Sequence, residues 1–307
     1  MIIFDEFKLY LEEQDYSPFT IRGYLMDLPS FATWFEQIND EVFAPEAVTP
    51  IDVREYRQYL LQKKKFSGNT VNRHLAALSK YFRFLLDQEE IERDPTHRIK
   101  NVGIPSPTPR WLDKKEQFAL TRAMEKDLQF ARLRYPKRWV IRQRNFSMVS
   151  LMQHTGLRVS EVTHLELVDI AFSERKGILL VRKGKGNKQR SIPLNVDARK
   201  ALSSWLEIRP KIPGNDFVFI ASGSEAQGAL SSRTAQRIVQ RYGKEAQLLN
   251  LTPHVLRHTF AKNLLNSGVT LEKVASLLGH RSLDTTRIYV TPSLQDLEQA
   301  VSRIESE

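Results

Sequence analysis

Thr252 and Pro253 read as a helix start, after which His254, Arg257 and His258 share one helical face at i, i+3 and i+4. Two histidines four apart also occur in the zinc-binding H-E-x-x-H helix. Here Val255 stands where the glutamate would be, and Arg257 on the same face would repel a cation. The trio suits an anion better, because a guanidinium holds phosphate oxygens in pairs. Read alone, the segment could also be a surface helix with capping histidines. Three more segments carry reactive side chains. Leu278-Gly279-His280-Arg281-Ser282 is followed, nine residues beyond His280, by Tyr289. A lone tyrosine or histidine is more often a packed or hydrogen-bonded structural residue. Residues 155–161, Thr-Gly-Leu-Arg-Val-Ser-Glu, read as a turn into a helix, with Arg158 behind a flexible joint and Glu161 one turn on, able to hold its guanidinium. Residues 182–190 place five basic side chains, Arg182, Lys183, Lys185, Lys188 and Arg190, around a glycine-bearing turn, where a lysine flanked by Gly184 and Gly186 can reach a phosphate.

The composition narrows the chemistry. The 307 residues contain no cysteine, which excludes disulfides, thiolate-bound zinc, iron–sulfur clusters and a thiol nucleophile. Lysine and arginine number 46 against 36 acidic residues, for a net charge of +10. Residues 1–50 hold 2 basic and 10 acidic side chains, residues 51–110 hold 12 and 7, and residues 111–307 hold 32 and 19. A polyanion would be gripped by the later two of these segments, and a gradient of this size favours nucleic acid over a merely solvated basic surface. The first residues lack the basic start and apolar run of a signal peptide, and no window approaches 18 apolar residues. A soluble, cytoplasmic protein is expected.

The elements that must position these residues are mainly helical. Ser17 and Pro18 form an N-cap pair, and Ile21, Tyr24, Leu25, Leu28, Phe31, Trp34 and Phe35 follow at helical spacing, with a kink or break expected at Pro29. Thr49 and Pro50 repeat the signal ahead of Val53, Tyr56 and Leu60. After Ser67-Gly68-Asn69, a stripe runs through Leu75, Leu78, Phe82 and Leu85, so residues 1–94 read as a small helical bundle. Pro95, Pro105, Pro107 and Pro109 make residues 95–111 an extended linker. Asp113 and Glu116 supply a capping box that opens residues 112–307, mostly helical with one antiparallel hairpin, residues 177–181 and 189–193.

With these motifs in hand, the sequence resembles the tyrosine recombinases, or phage integrase family, most like its Xer-type and transposon-borne members. The resemblance rests on residues 155–161, 184–188 (Gly-Lys-Gly-Asn-Lys), 254–258, 277–280 (Leu-Leu-Gly-His) and 285–289 (Thr-Thr-Arg-Ile-Tyr), and it covers essentially the whole chain. It implies a SAM-like core-binding domain over 1–94 and a catalytic domain over 112–307. Tyr289 would be the nucleophile that forms a 3′-phosphotyrosyl bond and releases a 5′-hydroxyl, storing the phosphodiester energy so that no ATP is needed. Arg158 and Arg257 match the positions that hold the phosphate, Lys185 the general acid, and His254 the position that assists proton transfer from the tyrosine. His280 matches a position that bonds the phosphate or supports the nucleophile, and Glu161 one that orients the active-site arginine. Neither metal nor other cofactor is expected.

The resemblance further implies site-specific recombination of duplex DNA through a Holliday junction. It would be carried out by a dimer on each site and a tetramer at the synapse, with the C-terminal helix docking in trans and with a second recombinase or accessory proteins as further partners. Asn72, Arg73, Lys80 and Arg83 on helix 70–86 are candidate DNA contacts, as are Lys183, Lys188 and Arg190; Lys63, Lys64 and Lys65 better suit phosphates than bases. Two other readings share parts of this pattern. One is a type IB topoisomerase-like nicking and closing enzyme; the other is a DNA-binding regulator without catalysis.

Overall fold

The computed structural model describes residues 4–104, 109–135, 139–182, 189–222, 228–280 and 282–288. The chain divides into two compact units, Met1–Ser106 and Pro107–Glu307.

The first unit is helical: α1 (Asp5–Glu13), α2 (Pro18–Asn39), α3 (Pro50–Gln62) and α4 (Gly68–Asp87). Side-chain oxygens of Ser17, Thr49 and Ser67 each accept from a backbone N–H in the first turn of the next helix, satisfying donors that would otherwise be orphaned. Val71, Leu75, Leu78 and Phe82 of α4 are buried against residues of α2 and α3. Each fully buried Leu or Phe of this kind contributes roughly 1.5–3 kcal/mol. Helix α2 runs unbroken through Pro29. Ile21 before the proline and Phe31, Trp34 and Phe35 after it are buried in one cluster, and Phe31 meets Tyr56 edge-on at 5.0 Å. Packing on both sides holds the helix across the missing hydrogen bond. The chain after α4 stays on this unit. Asn72 donates to the carbonyl of Val102 at 3.0 Å and accepts from its N–H at 2.8 Å, and Arg57 donates to the carbonyl of Lys100 at 2.7 Å.

The second unit opens with α5 (Lys114–Arg134), where Asp113 and Glu116 form the expected capping box. Next comes α6 (Trp139–Thr155), whose buried residues include Arg144, Ser147, Met148, Leu151 and Met152. This helix packs against α5, α8 (Val196–Leu206) and α10 (Pro253–Asn266), so it lacks a solvated face of the usual width. Between α7 (Val159–Thr163) and α8 lies an antiparallel sheet of β1 (Ile170–Phe172), β2 (Gly177–Val181) and β3 (Arg190–Pro193), in that order, with Leu179 opposite both Ile170 and Ile192. The hairpin read from the sequence is β2–β3, while β1, three residues long, is too short to carry a period. Helices α9 (Ser232–Glu245), α11 (Leu271–Leu278) and α12 (Asp284–Arg287) complete the described elements.

Candidate active site

Arg158 is the N-cap of α7, and its position depends on Gly156. Gly156 adopts φ +63°, and a Cβ there would lie 2.5 Å from the Phe260 ring and 3.0 Å from Leu278. Only glycine permits both the left-handed backbone and this approach of α6 to α10 and α11. The glycine carbonyl then accepts from Arg257 Nη1 at 2.7 Å. Arg257, buried to 4% exposure in α10, also donates from Nη2 to the carbonyl of Leu278 at 2.6 Å.

The carbonyl end of α11 is the meeting point of the site. Arg190 Nε donates to the carbonyl of Leu277 at 2.8 Å, Arg257 takes Leu278, and Arg158 Nη2 makes a long 3.4 Å contact to the carbonyl of Gly279. A helix C-terminus carries partial negative charge on carbonyls that lack a partner in the helix, so three guanidiniums are well placed there. Gly279 has φ +65°, and a Cβ on it would strike Arg190 at 2.9 Å.

Glu161 is the carboxylate that the described ion pairs give this cluster. It accepts from Arg158 Nη1 and the Arg158 backbone N–H at 2.9 and 2.8 Å, and from Arg190 Nη1 and Nη2 at 2.9 and 2.8 Å. Burial pushes its carboxyl up, but hydrogen bonds and charge from Arg190, then Arg158, reverse this and hold it below the ordinary carboxylate value. Three guanidiniums around one carboxylate leave a surplus of positive charge, which is what a phosphate requires.

His280 follows Gly279. Its Nδ1 pairs with Thr286 Oγ1 at 2.8 Å, and Thr286 is fully buried. Burial, then the charges of Arg257, Arg158 and Arg190, push the imidazole down to about 4, so it is neutral at pH 7. His254 is exposed on the first turn of α10, with its ring 6.4 Å from that of His258. Burial, His254 and Arg257 push His258 down to about 4 as well.

The structure thus brings together Arg158, Glu161, Arg257 and His280, with His254 on the same helix as Arg257. Tyr289, Lys185, Lys183 and Lys188 lie outside the described residues; in sequence Tyr289 is three residues beyond Thr286. Arg190 has a different occupation from the DNA contact expected of it. It is turned inward, with its side chain 10% exposed, because Glu161 and the Leu277 carbonyl use its donors. Thr286 and the structural role of Arg190 were missed from sequence. No local pattern announces either, since the partners of Arg190 lie 29 and 87 residues away. His258, at i+4 from His254, belongs to the anion-suited trio of α10 but matches none of the family's catalytic positions named above. Among the described residues, no cluster of His, Asp or Glu could hold a metal ion.

In the first unit, the four α4 candidates differ. Arg83 is exposed. Arg73 is half-exposed and bonded at 2.9 Å to the buried Asp27, whose carboxyl burial raises to about 6 against the opposing pull of Arg73. Lys80 donates to Tyr10 at 3.0 Å and lies over the Tyr10 and Tyr16 rings. Asn72 spends its amide on Val102, as described. Lys63, Lys64 and Lys65 are exposed.

An arginine-rich anion site beside a neutral histidine, on a mostly helical unit, marks a protein built to handle a phosphate. Residues 110–295 match the phage integrase family, and residues 4–89 match its N-terminal SAM-like domain. The chain is 34% identical over 303 residues to the tyrosine recombinase XerA of Pyrococcus furiosus, covering 98% of this chain and 93% of that protein. It is 33% identical over 287 residues to the tyrosine recombinase XerC of Thermodesulfovibrio yellowstonii, covering 92% and 88%. The solved structure of the XerH site-specific recombinase bound to a palindromic difH substrate, a post-cleavage complex, is similar with a TM-score of 0.75 and 25% identity, over 93% of this chain and 80% of that one. The chain belongs to the phage integrase family and is a tyrosine recombinase, an enzyme that transfers DNA strands.

Proposed function

We propose that this chain cuts and rejoins duplex DNA at specific sites by way of Tyr289. The phenol oxygen attacks the scissile phosphorus, a P–O bond to the tyrosine forms, and the bond to the 5′-oxygen breaks. The phenolic proton passes toward His254, and Lys185, which lies between β2 and β3 in sequence, gives a proton to the departing 5′-oxygen. Arg158 and Arg257 hold the non-bridging oxygens as negative charge gathers there. His280, neutral and oriented by Thr286, supplies a ring N–H to the phosphate or to the nucleophile. Attack by a 5′-hydroxyl from the partner strand reverses the sequence and releases Tyr289, so two rounds pass through a Holliday junction.

The observation that carries this reading is the convergence of Arg158 and Arg257 on the adjacent carbonyls of Gly279 and Leu278 at the end of α11, just before His280. The XerH complex has a palindromic substrate, and a two-fold site of that kind supports a dimer on each site; two such dimers would make the tetramer at the synapse. On the first unit, Arg73, Arg83 and Lys63 to Lys65 would lie along phosphates, and Lys183 and Lys188 of the second unit would do the same. The segment after Tyr289 would dock in trans on a neighbouring protomer.

The direct test is Tyr289→Phe on a nicked duplex that traps the covalent intermediate. Wild-type protein forms an adduct that survives a denaturing gel, whereas the variant binds the duplex and forms none. An adduct with the variant would remove Tyr289 from this role.

A further inference from the structure

One arginine of the β2–β3 hairpin does not face outward. Arg190 is the first residue of β3, two positions after Lys188, and it pairs across the sheet with Val181. Its guanidinium lies on both oxygens of Glu161, at 2.9 and 2.8 Å. Its Nε holds the carbonyl of Leu277 at 2.8 Å, and the lack of a side chain at Gly279 makes room for it. One side chain therefore ties three things that the reaction needs in register: the base of the hairpin that carries Lys185, the carboxylate that orients Arg158, and the turn that carries His280.

The charge arrangement gives this tie a second consequence. Glu161 is 5% exposed and must be neutralised where it stands. Arg190 takes both of its oxygens, Oε1 through Nη1 and Oε2 through Nη2, while the Arg158 side chain takes only Oε1, through Nη1. Arg158, 37% exposed, is thereby kept from a full bidentate pair with Glu161. A guanidinium locked in such a pair would meet a phosphate with most of its charge already spent.

We propose that Arg190 is a positioning residue that absorbs the charge of Glu161, so that Arg158 keeps its own charge for the scissile phosphate, and that fastens the hairpin to the carbonyl end of α11. Arg190 touches neither substrate nor reacting atoms. Without it, Glu161 turns onto Arg158 and quenches it, and the Leu277 carbonyl loses its donor. Lysine is a poor substitute, because a single ammonium cannot bind two carboxylate oxygens and a carbonyl in one plane.

This inference rests on the strand-transfer reading above, and the experiment separates the two. Single-turnover cleavage of the nicked trapping duplex is measured at saturating protein for wild type, Arg190→Gln, Arg190→Lys and the double variant Arg190→Gln/Glu161→Gln, alongside the salt dependence of non-covalent binding. The Arg190→Gln rate falls by about 100-fold, comparable to the loss of one charge-stabilising donor, and the Arg190→Lys rate lies between it and wild type. The salt slope does not change. The double variant cleaves about tenfold faster than Arg190→Gln, because the carboxylate that quenched Arg158 is gone; a merely structural loss would give a double variant no better than the single. A salt slope shallower by about 0.9 with an unchanged saturated rate would make Arg190 a phosphate contact and overturn the proposal. So would a double variant as slow as, or slower than, Arg190→Gln. If Arg190→Gln does not fold, the comparison of Arg190→Lys with Arg190→Lys/Glu161→Gln decides in the same way. A wild-type protein that forms no adduct defeats the strand-transfer reading itself, whereas a cleaving wild type beside an equally fast Arg190→Gln defeats only the brace.

Discussion

Arg257 and Gly156 lie 101 residues apart in sequence, yet the arginine donates to the glycine carbonyl at 2.7 Å. The bond joins the middle of α10 to the end of α6, and it can form only because Gly156 folds back with φ +63°. The same glycine delivers the chain to Arg158 two residues later, so one backbone turn sets both arginines proposed to bind the phosphate. Arg257 is then fixed from the other side by the Leu278 carbonyl, in the turn that leads to His280. The two bonds together fix where the guanidinium points.

Gly156→Ala tests that turn. The added methyl meets Phe260 at 2.5 Å in a backbone conformation that L-residues avoid. A loss of about 2–4 kcal/mol is expected from the left-handed penalty and overpacking together. Cleavage should fall further than the unfolded fraction explains, because both arginines shift. Urea unfolding paired with single-turnover cleavage measures the two effects; a variant with wild-type stability would show that the turn is not strained by a side chain.

The histidines make stability depend on pH. His258 and His280 titrate at about 4 in the folded protein, against 6.5 for an unperturbed histidine. Between those values the unfolded chain binds more protons than the folded one, so these groups make stability rise with pH from about 4 to 6.5 and add nothing further above that. Wild-type protein should therefore lose more stability between pH 7 and pH 5 than His258→Gln does, as read by urea unfolding at the two pH values. Equal losses would mean that His258 is not held neutral by its surroundings.

Lys185 can be tested through the chemistry of the leaving group. If it protonates the 5′-oxygen, Lys185→Ala should be severely slow on ordinary DNA, because an alkoxide is a poor leaving group. A 5′-bridging phosphorothioate departs without a proton and should restore much of the rate. Arg158→Ala should gain far less from the sulfur, since its task lies on the non-bridging oxygens. Rescue of both variants alike, or of neither, would assign the proton to another residue, and Lys183 and Lys188 would be tested next.

Removing the residues after Thr291 tests the trans contact. Leu294, Leu297, Val301 and Ile304 recur in this segment at helical spacing, an apolar stripe that must bury against something. The truncated protein should bind a single half-site as wild type does but form the dimer on a full site with weakened cooperativity, as seen in a mobility-shift titration. Unchanged cooperativity would place the stripe on its own protomer.

The sequence by itself determined where helices start and which groups are proposed to react, because those depend on neighbours within a few residues. Ser17 with Pro18, Thr49 with Pro50, Asp113 with Glu116 and Thr252 with Pro253 are each complete start signals, and α2, α3, α5 and α10 begin where they stand. The pairing of Arg158 with Glu161 at i+3 was equally local. Tertiary structure alone decided the remainder. Pro29 lies inside an intact helix because packing on both sides outweighs one missing bond. Asn72, polar and in a basic helix, is committed to Val102, 30 residues away. Arg190 belongs by its neighbours to a basic hairpin and by its contacts to Glu161 and Leu277. Charge and hydrogen-bonding capacity can be read along a chain, but which partner satisfies them is settled only when burial makes an unpaired donor or carboxylate too costly. At the end of α11 that requirement gathered three arginines separated in sequence onto three consecutive carbonyls.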